Sequence, residues 1–251
     1  METLKNIDQL QVPATIQKDL TEFLSQVVQL YADDLVSIMA FGSSVTKDYV
    51  ENSSDINLMI VYSDLNITDL NTVSKLARGW LKKRAFSPRF ISVNNLTSSS
   101  KFFPIDMLEM KDMHTTLYGK DLLNDMLIEK SGLHWQLSYE IKAMRMRIKQ
   151  QFWRSCGDDH IMHKILLERF TSIVHLTRVL LYLMDKPVSQ NFEDILQMAK
   201  SEIGIPSSFI EKMQALKKKQ LKPTNAEYIQ LFTDLMDVIR IIDTKTDLVK
   251  I

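Results

Sequence analysis

The stretch GSSVTKDYVENSSDINLMIV, residues 42–61, decides how this chain is read. It follows Leu35 to Phe41, a short apolar run that Gly42 stops, and it runs into Ile56 to Tyr62, a second run rich in strand formers. Both runs predict buried strands. A strand that ends in Gly-Ser and feeds a short helix leaves backbone N–H groups pointing outward, so Gly42, Ser43 and Ser44 are placed to cradle phosphate oxygens. Asp55 then opens the second strand. Because side chains alternate along a strand, Asp55 and Asn57 share a face, where both can meet a metal ion held near those phosphates. Oxygen ligands at that spacing suit Mg²⁺, which keeps several waters and takes one or two carboxylates plus substrate phosphates.

Working outward, Pro13 sits where a helix can start, and Ile16, Leu20, Phe23, Leu24, Val27 and Leu30 recur at helical spacing. Downstream, Leu70, Val73, Leu76, Ala77, Trp80 and Leu81 fit one helical face and predict a crossover helix between Leu70 and Leu81. Arg89 to Val93 and Pro104 to Met110 read as further strands, with the polar segment Asn94 to Lys101 between them. Everything after about Gly132 reads as helix: Trp135 to Phe152, Asp159 to Met184, Phe192 to Lys200, Ser207 to Lys218 and Asn225 to Ile242. Pro187, Gly204-Ile205-Pro206 and Pro223 punctuate these segments. The expected class is α+β, a mixed sheet flanked by helices over residues 1–130 followed by an all-α helical bundle over residues 131–251.

With 251 residues and 45% hydrophobic content, the chain can bury a substantial core without staples. Its single cysteine, Cys156, excludes an intramolecular disulfide framework and fits a reducing, cytoplasmic setting. The first residues interleave Lys5, Asp8, Lys18 and Asp19 with apolar positions, a pattern unlike a signal peptide. The most apolar later stretch, Phe170 to Met184, is shorter than a bilayer span of roughly 20 residues, so no membrane partner is expected. Lysine plus arginine balances aspartate plus glutamate at 31 each, which leaves no global positive field for nucleic acid. Any polyanion is bound locally.

The pattern of residues 42–61 resembles the nucleotidyltransferase superfamily, which includes the kanamycin nucleotidyltransferases and DNA polymerase beta. Its hallmark is Gly-Ser, then roughly ten residues, then Asp-x-Asp or Asp-x-Glu on a strand, with a third carboxylate on a later strand. Gly42-Ser43 and Asp55-Ile56-Asn57 have that spacing. The resemblance extends to Phe103 to Glu109, because bacterial members carry a similar apolar strand before a Leu-Tyr-Gly turn, here Leu117-Tyr118-Gly119. By that alignment Asp106 takes the third carboxylate position, with Glu109 as the alternative on the opposite face of a regular strand.

What the resemblance implies is transfer of a nucleoside monophosphate, AMP in the first instance, from a nucleoside triphosphate to a hydroxyl acceptor. It implies two Mg²⁺ ions, with Asp55 and Asp106 as the catalytic carboxylates, Asp55, Asn57 and Asp106 as metal ligands, and Ser43 on the triphosphate. In kanamycin-type relatives the helical lobe supplies acceptor-binding groups, which makes Glu140 the candidate acidic contact here. The sequence does not name the acceptor, and a homodimer is compatible with it. Asn57 departs from the pattern: an amide can give its carbonyl oxygen to a metal but carries no charge, so affinity for divalent cations should fall. Two readings follow, a working transferase with weaker metal binding and a nucleotide-binding or interaction module that has lost transfer.

Overall fold

A computed structural model describes residues 3–31, 34–46, 49–51, 54–64, 66–83, 86–189 and 191–251, with the side chains at 69, 76, 79 and 81–83 left undescribed. Positions 47, 48, 52 and 53 of the 42–61 stretch lie outside the described residues. The chain divides into two compact units, Met1–Glu129 and Lys130–Ile251.

The first unit is built on a four-stranded mixed sheet in the order β3-β2-β1-β4, formed by β1 (Leu35–Phe41), β2 (Ile56–Tyr62), β3 (Phe86–Ser92) and β4 (His114–Gly119). Strand β1 is antiparallel to both β2 and β4, whereas β2 and β3 run parallel. Parallel neighbours need a crossover, and helix α2 (Ile67–Lys83) supplies it. Pro88 falls on β3, an edge strand, where a missing N–H is tolerated.

Both faces of the sheet are covered, which is why β1 and β2 read as nearly continuous apolar runs. On one face, helix α1 (Ala14–Tyr31) packs Ile16, Leu20, Phe23, Leu24 and Val27 with Ile38, Ala40, Leu58 and Ile60 of the sheet. Phe23 is nearly fully buried, with its ring 6.2 Å from Trp80 and 5.7 Å from Phe86. On the other face, Met39, Phe41, Met59 and Val61 meet Leu96 of α3 (Val93–Phe102) and Met107 and Met110 of α4 (Pro104–Asp112).

Two expectations change here. Pro104 to Met110 is helix α4, not a strand. Its buried residues pair at helical spacing, Ile105 with Leu108 and Met107 with Met110, and Glu109 interrupts the alternation that a strand would need. Pro104 at the first helical position sets the start. The fourth strand is instead His114–Gly119, which contains the Leu-Tyr-Gly segment. The polar segment after β3 is helix α3, capped by the Ser92 hydroxyl, which accepts the Asn95 N–H at 3.3 Å.

The second unit is all helix: α5 (Lys130–Arg154), α6 (Asp159–Leu183), α7 (Phe192–Met198), α8 (Ser207–Lys217) and α9 (Asn225–Asp247). Helices α5, α6 and α9 pack against one another. The Asp158 carboxylate caps α6 by accepting the Ile161 N–H at 2.9 Å, and Thr224 with Glu227 forms a capping box at the start of α9. The apolar stretch near residue 175 is buried within α6. Among the described residues no helix is long and apolar enough to cross a membrane.

Candidate nucleotide site

Four chain segments converge at one end of the sheet. Strand β1 finishes at Phe41 in extended backbone, and Gly42 then turns left-handed at φ 76° into the short helical turn Gly42–Val45. Phe41 pairs with Asn57 on one side and with His114 on the other. The Gly42 N–H donates to the Met113 carbonyl at 3.2 Å, so the start of β4 is pinned to the turn. A Cβ placed on Gly42 would stand 3.1 Å from Asn57 Nδ2. Glycine is needed here both for its backbone conformation and for the close approach of the Asn57 amide.

Within the turn the three expected phosphate-binding residues have different surroundings. Ser44 is fully buried, its hydroxyl donates to the Phe41 carbonyl at 3.4 Å, and its own carbonyl accepts the Gln11 N–H at 2.8 Å. Ser44 thus holds the turn together from within. Ser43 is half-buried, and its carbonyl accepts the Thr46 N–H at 3.1 Å. With the Gly42 N–H engaged by Met113, Ser43 is the member of the trio best disposed toward a ligand.

Asp55 is exposed immediately before β2, and Asn57 is half-buried within it. Asp106 lies in the first turn of α4, half-buried, on a helix laid across the sheet face that carries Asn57. The expected strand-borne third carboxylate is therefore a helix-borne one. On a helix, Asp106 and Glu109 are three residues apart and share a face, so the strand argument that set them on opposite sides does not hold.

The strand that adjoins β2, residues Phe86 to Ser92, contains no carboxylate. Its register pairs Asn57 with Ser87 and Met59 with Arg89, which puts Ser87 and Arg89 on the same sheet face as Asn57 and Phe41. The Arg89 guanidinium carbon sits 5.4 Å from the centroid of the Phe41 ring. The sequence alone does not show which face this arginine takes. Only the register of β3 against β2 reveals which face it takes.

The donor set can be weighed against the expected pair of divalent ions. Two ions would face the Asp55 and Asp106 carboxylates, the Asn57 amide and, on the same sheet face, a guanidinium. Among the described residues no group of three His, Cys, Asp or Glu side chains is placed to hold a metal. These residues do not fit a two-ion centre.

The start of β4 is held by a histidine clamp. His114 Nδ1 lies 2.9 Å from the Lys111 carbonyl and Nε2 lies 3.0 Å from Asp121 Oδ1. Both ring nitrogens face acceptors, an arrangement that the doubly protonated ring satisfies. Partial burial alone would raise the Asp121 pKa, but hydrogen bonds from the Asn124 N–H, His114 and the Leu123 N–H outweigh it and hold the carboxyl below its ordinary value. In the second unit, Glu140 of α5 pairs with Arg147 at 3.0 Å.

No family model matches the sequence, and no curated protein sequence matches it. Among solved structures, a spectinomycin adenyltransferase from Enterococcus faecialis, determined with ATP and spectinomycin, is similar with a TM-score of 0.56 at 11% identity. The likeness covers 89% of this chain and 98% of that one.

Proposed function

From a chain that has the nucleotidyltransferase fold, we infer a protein that binds a nucleoside triphosphate, ATP foremost, at the end of its sheet. One observation carries this reading: the left-handed Gly42 turn is pressed against Asn57, with Asp55 exposed at the start of the same strand. A tight turn at a strand end, beside a polar amide and a carboxylate, is the arrangement from which we read a phosphate cradle. The similar adenyltransferase, determined with ATP, supports the choice of nucleotide.

The donor chemistry favours nucleotide binding over efficient metal-dependent transfer. Asn57 brings no charge, β3 brings no carboxylate, and Asp106 comes from a helix. A cytoplasmic nucleotide-binding or interaction module is the result.

Transfer is the second reading, favoured by the exposed Asp55 carboxylate at the mouth of the site. In that reaction an acceptor hydroxyl oxygen attacks the α-phosphorus of ATP. The bond from that phosphorus to the bridging oxygen breaks, and pyrophosphate leaves with the electron pair. The acceptor's proton passes to a carboxylate, Asp55 or Asp106.

Pyrophosphate release separates the two readings. Purified protein incubated with ATP and Mg²⁺ and a panel of hydroxyl-bearing acceptors is expected to bind ATP and release no pyrophosphate above background. Sustained release with any acceptor, lost in Asp55→Asn, establishes the transferase instead. Absence of binding to any nucleoside triphosphate removes both.

A further inference from the structure

We propose that Arg89 is the phosphate-binding cation of this site and that it lets the chain hold a nucleoside triphosphate without a divalent metal ion. The proposal deepens the nucleotide-binding reading and rests on it.

Position is the first ground. Arg89 springs from β3, yet its guanidinium lies at the ring of Phe41 on β1, so the side chain crosses over β2. Adjacent strands are about 4.8 Å apart, so the β3 to β1 separation is about 10 Å, a span that an extended arginine and a phenylalanine ring together can bridge. Phe41 is both the residue before Gly42 and the cross-strand partner of Asn57. The cation therefore stands beside the ground between the phosphate turn and Asn57.

Its presentation is the second. Among the described residues no carboxylate forms a salt bridge with Arg89, and its side chain is exposed. The aromatic ring beneath the guanidinium restrains it by cation–π attraction while leaving its N–H edges open. A planar fork of donors held in that way matches two oxygens of a phosphate.

Charge balance is the third. A site for divalent ions concentrates negative charge, whereas this face substitutes an amide at Asn57 and adds a guanidinium. Both features disfavour a metal and favour a polyanion.

The test is calorimetric titration of ATP into the full chain, in EDTA and in excess Mg²⁺, with Arg89→Gln, Arg89→Lys and the unaltered protein. Expected are affinities in EDTA within a few-fold of those in Mg²⁺, a loss of about tenfold or more in Arg89→Gln, and an intermediate loss in Arg89→Lys, which keeps the charge without the fork. Unchanged melting temperatures establish that the variants fold. If ATP binds only with Mg²⁺, or equally well in Arg89→Gln, the proposal is overturned while nucleotide binding stands. If no nucleoside triphosphate binds under either condition, the underlying reading falls with it.

Discussion

Replacing Gly42 by alanine separates backbone strain from ligand recognition. At φ 76° an L-residue costs about 1–2 kcal/mol relative to glycine. The added methyl would also stand 3.1 Å from Asn57 Nδ2, the mobile end of a side chain, which needs to yield only slightly. That adjustment adds about 1 kcal/mol or less, the scale of a modest rotamer distortion. Gly204→Ala is the comparison: φ there is 87°, and nothing lies within 4 Å of the new methyl, so it carries the backbone term alone. Urea unfolding of the two variants is expected to give losses of about 1–3 and 1–2 kcal/mol respectively. ATP affinity should then fall about tenfold or more in Gly42→Ala, because the turn and the Asn57 amide both shift, and stay unchanged in Gly204→Ala. Equal ATP affinity in the two variants, at comparable stability, refutes the assignment of the turn as the phosphate cradle.

Three further outcomes are expected. Phe23→Ala removes a ring packed near Trp80 and Phe86 and should destabilise the first unit by about 3–5 kcal/mol, read from the shift in its denaturation midpoint. Asp121 titrates below its ordinary value of 3.8 when folded, so its charged form contributes stability above that pH and loses the contribution as pH falls through the folded value. The stability advantage over Asp121→Asn should therefore shrink as the pH drops below 3.8; an advantage that grows on acidification contradicts the clamp. Asn57→Asp restores a carboxylate beside Asp55 and should make ATP binding respond to Mg²⁺ in a titration; a response identical to that of the unaltered protein argues against Asn57 as a site residue.

The parts of the fold that depend on local pattern were legible in the sequence. Gly42 after an apolar run marks a turn whatever lies around it, and the spacing from Ile16 to Val27 serves one helix face. Segment 104–110 was harder because alternating Ile105 and Met107 fit a strand, while the Ile105–Leu108 and Met107–Met110 pairs fit a helix. Tertiary burial against Met39 and Met59 selects the helix. Arg89 is legible as strand, but the face it takes is not, since that depends on which strand lies beside it and in what register. The Ser44 carbonyl is likewise bonded by Gln11, a residue distant in sequence.

Amide hydrogen exchange of the full chain, with and without saturating ATP, tests nucleotide binding at the end of the sheet most directly. Slowed exchange confined to Phe41–Val45, residues 55–57, Ser87 and Arg89 is the expected result, with α6 unchanged. Protection confined to Lys130–Ile251, or no protection at concentrations where ATP is bound, contradicts the site.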